Sequence, residues 1–378
     1  MGVVPIPIFL VYSNLKGETI VKQGKNLKAL ATELKRQHNE KRDFIINAHN
    51  LQIQTNSKGE STLTFNLNNK PITFGVNDNT HQQIASRLNI PIRYYQKMQL
   101  ESPQLLDQTV NDNFKKVAEN RMIRTLDGTA RAFLSDRYRR IDNLEICAAV
   151  YPFIESAKSL SVESAEVTDS HLYLKVVNKR IKAEISKGNI IQGGFVISNS
   201  EVGAGCLKIE PLIFNSVSKN TLIFKDCLHK TNHIGRQFKS SISCEIPADE
   251  RNYNVTILTK LQKDIQSAVS DSATFDTIIQ LLKQVKQIPL QKNIVKAVES
   301  LANDFSLSPN ERGDILRQLC ISEDYSRYGL IQAISAASKI SNSYERATEL
   351  EHIGGDLLYL SSTNNILAIP QNRSKLSA

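Results

Sequence analysis

The spacing of apolar residues changes period several times along the chain, and each change marks a predicted element. Residues 24–40 (GKNLKALATELKRQHNE) place Leu27, Leu30, Ala31 and Leu34 on one face with lysine and arginine opposite, which predicts an amphipathic helix. Next, 43–54 (DFIINAHNLQIQ) and 61–76 (STLTFNLNNKPITFGV) alternate apolar and polar residues and predict strands. Lys58–Gly59 and the Asn68–Pro71 cluster supply their turns.

From Thr80 the period lengthens again. Thr80 with Gln83 has the spacing of a capping box, predicting a helix from His81 with Ile84, Ala85 and Leu88 on its buried face. Asn89 suits a left-handed cap and Pro91 the first turn of a second helix, 91–100, which buries Ile92, Tyr95 and Met98. The 80–100 segment is therefore helix-turn-helix-like, with Arg93, Gln96, Lys97 and Gln99 offered to a groove. Residues 103–120 predict a helix, 121–143 a hairpin about Asp127–Gly128, and 144–157 a helix lying on the sheet. Alternation returns from 162 to 250, with Gly193–Gly194, Gly203 and Gly205 punctuating the strands. Beyond Tyr253 the pattern is helical at about 254–270, 273–287, 291–304, 309–320, 328–340 and 342–360, with a firm start at Ser308-Pro309-Asn310-Glu311.

These elements predict an α+β fold: an antiparallel β-sheet core with helices, followed by an α-helical C-terminal region. The expected divisions are an arm and helix at 1–40, the α+β core at 41–250, a helical region at 251–362 and a flexible tail at 363–378. The apolar start, MGVVPIPIFLVYSNL, is too short for a bilayer and is broken by Pro5 and Pro7, so no membrane anchor is expected. Five scattered cysteines without a C-x-x-C pair argue against a disulfide framework and for a reducing cytoplasm.

Charge alters the picture more than composition does. The chain carries a formal +9, and Arg121–Asn143 alone holds Arg121, Arg124, Arg131, Arg137, Arg139 and Arg140 against Asp127 and Asp136 before residue 141. Interleaved apolar residues tie those arginines to a folded core, so the stretch reads as a rigid strand pair with a cationic face. By alternation Arg131, Phe133 and Ser135 share one face, continued by Arg137 and Arg139, while Tyr138 and Arg140 turn the other way. Further basic sets are Lys175, Lys179, Arg180, Lys182 and Lys187, then Lys219, Lys225, Lys230, Arg236 and Lys239.

Such a distribution favours a polyanion. The expected contacts are Arg131, Arg137, Arg139, Arg140, Lys179, Arg180, Lys225 and Arg236 on phosphates, with Tyr138 stacking on a base. No hydrolase, zincin, Walker or dinucleotide motif is present; Gly203-Ala204-Gly205 leads into a strand rather than a helix. Cys227, His229 and His233 have a conceivable zinc spacing, and Asp127, Asp136, Asp142 and Glu145 a conceivable magnesium one, but both read better as basic surface and as ion pairs. No cofactor or metal is expected.

The segments RTLDGTARAFLSDRYRRIDN (124–143), GGFVISNSEVGAGCLKIEPLIF (193–214), HIGR (233–236) and SRYGLIQAISAASKISNSYERATELEHIGGDLL (326–358) resemble the phage/plasmid-like family, also called domain of unknown function 932. DFIINAHNLQI and QQIASRLNIPIRYYQKM resemble its N-terminal part. The chain departs from the family at 215–224 (NSVSKNTLIF), where relatives show a Cys-x-Asn-Gly-like turn. The resemblance implies a bacteriophage, plasmid or prophage setting and carries no established activity. The expectation is a non-enzymatic phage or mobile-element protein binding single-stranded DNA in recombination or replication, as an oligomer. The alternatives are an interaction module engaging a host defence or replication protein, and a metal-dependent nuclease.

Overall fold

The computed structural model describes residues 24–117, 119–235, 243–246, 254–270, 273–290 and 293–359. The chain is α+β, with two largely antiparallel sheets and a helical C-terminal region. It divides into a larger unit, 25–219 with 223–279, and a smaller one that includes 280–359 and Asn220–Leu222.

In the larger unit, α1 (Leu27–Glu40) precedes β1 (Arg42–Asn47), β2 (Gln52–Thr55), β3 (Ser61–Leu67) and β4 (Lys70–Val76). Helices α2 (Asp78–Arg87), α3 (Ile92–Glu101) and α4 (Pro103–Lys116) lead into β5 (Asn120–Leu126) and β6 (Thr129–Ser135). The first sheet runs Cys244–Ile246, β1, β5, β6, β4, β3, β2, and only the β4–β6 pair is parallel among its described pairings. One face packs Phe44, Phe65, Phe74, Ile123 and Phe133 against Ile84, Tyr95, Met98, Leu106 and Phe114 of α2, α3 and α4. The β5–β6 turn has positive φ at both Asp127 (50°) and Gly128 (73°), the conformation that an Asp-Gly pair tolerates.

The second sheet is built on β7 (Leu160–Val167), β8 (Leu172–Ser186), β9 (Asn189–Asn199) and β10 (Leu207–Asn215), which follow α5 (Asn143–Ser156). These four strands pair in sequence order, all antiparallel, and His229–Thr231 also pairs β10. Leu30 and Leu34 of α1, Ile146, Val150 and Ile154 of α5, and Leu261 and Ile265 of α6 (Val255–Ser270) join Leu174, Val176, Phe195 and Ile197 in one core.

In the smaller unit, α7 (Ala273–Lys286), which crosses the division, is followed by α8 (Ile294–Asp304), α9 (Pro309–Ser322), α10 (Arg327–Ala337) and α11 (Tyr344–Tyr359). The Ser308 side chain accepts the Glu311 N–H, and the Glu311 carboxylate takes the Ser308 N–H, completing the expected capping box. Asn220–Leu222 runs beside α10, where Ser335 Oγ donates to the Thr221 carbonyl at 2.7 Å.

Three local expectations change. The cap of α2 is Asn77, whose side chain accepts the Thr80 N–H, so the helix starts at Asp78 and Thr80 is freed to donate to the Ala130 carbonyl. Gly193–Gly194 lies inside β9 instead of between strands. A Cβ on Gly194 would stand 2.1 Å from the Val176 carbonyl oxygen, so backbone approach explains that glycine. Finally, β6 stops at Ser135, and the Tyr138 N–H closes a turn back to the Ser135 carbonyl, so the alternation does not carry through Arg137 and Arg139.

Candidate nucleic-acid interface

The arginine stretch is largely interior. Both faces of β5 and β6 are buried, because one packs on α2–α4 and the other closes over a second apolar set, Ile45, Met122, Ala132, Leu134, Val202 and Ile246. A buried guanidinium requires counter-charge and acceptors. Arg124, 0% exposed, meets Asp43 through two bonds (2.8 and 3.0 Å), Asp142 at 2.8 Å and the Glu201 carbonyl at 2.9 Å. Lys41 Nζ lies 2.6 Å from Asp142 and 3.7 Å from Glu201. Arg131 donates to Glu201 at 2.5 Å, and Arg140 to Asp43 at 3.3 Å. Burial alone would raise the carboxyl pKa values of Asp142 and Glu201, yet the Arg124, Lys41 and Arg131 charges outweigh it and hold both below the usual carboxylate range. Asp142 also caps α5 in a box with Glu145, and Asn143 N–H donates to Glu201 at 2.7 Å, tying the network to that helix.

Tyr138 is likewise committed. Its hydroxyl donates to the Ser200 carbonyl at 2.8 Å, and its ring lies parallel to His233 with centroids 4.9 Å apart. Burial raises the phenol pKa. The ring therefore spends one face on a histidine of its own chain and its hydroxyl on a backbone carbonyl, so it is not a free stacking platform for a base. His233 faces the Arg139 carbonyl through Nδ1 (2.9 Å) and Asn199 Oδ1 through Nε2 (3.0 Å). Two oxygens favour the doubly protonated ring, whereas burial pushes its pKa down. Burial prevails, and the nearby Arg124 charge acts in the same direction.

The network opens on a cavity of about 310 Å³ lined by Lys41, Arg42, Asp43, Arg140, Asp142, Glu245 and Ile246. Its three cations face three carboxylates, so a phosphate entering it would meet as much repulsion as attraction.

A group of exposed cations lies elsewhere, on β8. Val177 pairs with Gly194 and Lys182 with Gln192, leaving Asn178–Ile181 opposite Gly193 alone. Four residues against one make an irregular bulge larger than the usual two-against-one kind. The missing side chain of Gly193 makes room for it: a Cβ there would lie 2.8 Å from Ile181 and 2.5 Å from Phe275. Ile181 turns inward into that space, and the bulge sets Lys179 and Arg180 out into solvent. Asn178 accepts the Arg180 N–H at 3.1 Å, and the Lys179 N–H bonds the Ser159 carbonyl at 2.8 Å, next to exposed Lys158. Lys182 and Lys187 continue the exposed set along the hairpin, with Glu184 as the acidic residue among them.

Of the expected phosphate contacts, Lys179 and Arg180 thus share one exposed feature, and Arg137 and Lys225 are exposed at other points of the larger unit. Arg139 is partly buried, with its backbone bonded to His233, while Arg131 and Arg140 are spent on Glu201 and Asp43. Lys175 is buried, and Arg236 and Lys239 lie outside the described residues. Among the described residues no group of three or more His, Cys, Asp or Glu side chains could hold a metal ion. His229 is occupied by Asp264 (2.5 Å) and Thr231 (2.8 Å), and Asp127 by Arg36. No helix among the described residues is long and apolar enough to cross a membrane. No family model, curated protein or solved structure matches this chain.

Proposed function

We propose that the chain is a non-enzymatic nucleic-acid-binding protein of a phage or other mobile element, holding single-stranded DNA by its phosphates on the β8 bulge. The observation that carries this reading is the bulge itself, which displays Lys179 and Arg180 beside Lys158, Lys182 and Lys187. Arginine offers paired donors to a phosphate and lysine a mobile point charge, so the set suits backbone tracking without base readout. With the Tyr138 ring engaged by His233, binding is electrostatic in character and falls steeply with salt. The resemblance to the phage/plasmid-like family supports the setting.

Fluorescence anisotropy with labelled oligo-dT tests the proposal. The Lys179→Glu/Arg180→Glu double variant, with its thermal midpoint preserved, should bind at least about tenfold more weakly, since two phosphate contacts become repulsive. Equal binding by that variant would refute the site.

A further inference from the structure

Helices α2 and α3 are joined by four residues, 88–91. Asn89 adopts φ 55°, its N–H bonds the Ser86 carbonyl, and the Ile90 N–H returns to the Ala85 carbonyl at 2.9 Å. That left-handed cap turns the chain sharply, and Pro91 then opens α3. Ile84, Ala85, Tyr95 and Met98 are buried at the crossing, with small Ala85 on the α2 side. His81 of α2 bonds the Tyr95 hydroxyl of α3 at 2.9 Å, and Gln99 donates to the other ring nitrogen of His81 and to the Gly59 carbonyl. Gln99 is therefore a clamp between elements, not an outward contact as the spacing suggests. The pair is also fixed to the sheet: Thr80 donates to the Ala130 carbonyl, and Gln83 accepts the Phe133 N–H and donates to the Val202 carbonyl, both at 2.7 Å.

This rigid mounting leaves one face of α3 open. Arg93, Gln96 and Lys97 are exposed on its first two turns, along with Tyr94, and Glu101 comes only at the far end, 3.7 Å from Lys97. Two helices on a short turn, with donor-bearing side chains near the start of the second, match how a recognition helix meets a major groove. Arg93 and Gln96 stand one turn apart, and their side chains are the types that pair with guanine and adenine edges. Lys97 beside them supplies charge for a flanking phosphate.

We infer that α2 and α3 form a helix-turn-helix that reads duplex DNA through Arg93 and Gln96. This site goes beyond the single-strand reading and does not depend on it, because α3 and the β8 bulge share no residue. The test is selection from a library of duplexes with a randomised core, followed by anisotropy with the enriched duplex and, separately, with oligo-dT. A sequence motif should emerge. Arg93→Ala/Gln96→Ala should lower affinity for that duplex by about tenfold or more while oligo-dT binding stays unchanged. The single exposed change Gln96→Glu, which leaves the helix packing intact, should also shift base preference. No enrichment, or an enriched duplex bound equally by both variants, would overturn the assignment. So would α3 variants that lose only a protein partner held by the exposed Tyr94 and Leu100.

Discussion

Two sets of cations on strands of the same unit have opposite fates. Arg124 and Arg131 on β5 and β6 are interior and ion-paired, whereas Lys179 and Arg180 on β8 are in solvent. Residue type does not separate them, and neither does strand propensity. What separates them is counter-charge brought from far along the chain and the number of covered faces. Strands β5 and β6 sit mid-sheet with both faces packed, so their arginines fold only because Asp43, Asp142 and Glu201 arrive with them. Asn178–Ile181 slips out of register, which frees two side chains from the sheet surface. A dense run of arginine can therefore mark a structural hub, and the sparser set can be the available one.

The largest test of this contrast removes the hub. Arg124→Met should cost about 3–5 kcal/mol, because Asp43 and Asp142 would remain buried without their main partner. Urea unfolding reads the loss, and a change under about 1 kcal/mol would place Arg124 outside any such network. Next in size is Gly193→Val, which must displace both Ile181 and Phe275 and should cost about 1–3 kcal/mol through overpacking. Oligo-dT affinity should fall with it, linking the bulge's shape to its use.

Acid should act on the buried groups in two stages. Burial lowers the His81 pKa to about 4, so the unfolded chain protonates first and stability is lost as the pH falls from about 6.5 toward that value. The depressed carboxyls of Asp142 and Glu201 contribute stability that is present above about pH 4 and lost progressively below it. Chemical denaturation across this range should show both limbs, and His81→Gln should reduce the first, leaving the part that buried His233 contributes with the same sign. By contrast, Lys179→Ala/Arg180→Ala should leave stability within about 0.5 kcal/mol of the parent, as expected of exposed side chains without buried contacts.

Local signals were legible in the sequence. The Asp127–Gly128 turn, the Ser308–Glu311 box and the six C-terminal helices depend on near neighbours, and the structure has them where the spacing puts them. The start of α2 was ambiguous because Asn77 and Thr80 both make good caps, and Thr80 found a better partner on β6. Burial of the arginines could not be read locally, since Asp43 is 81 residues from Arg124 and Glu201 is 70 from Arg131. Acidic residues near the arginines in sequence were a partial guide. Asp142 does pair with Arg124, but Asp127 turns to Arg36 on α1. The bulge left one trace, the Gly193–Gly194 pair, which read as a break between strands and instead marks close backbone approach inside β9.

The most direct test of the division between hub and surface is the salt dependence of oligo-dT binding by the parent and by Lys179→Ala/Arg180→Ala. Each lost phosphate contact on a single strand should make the slope of log affinity against log salt shallower by about 0.7, so the double variant should differ by about 1.4. An unchanged slope in a folded double variant would contradict the account and return the binding surface to some other set of cations.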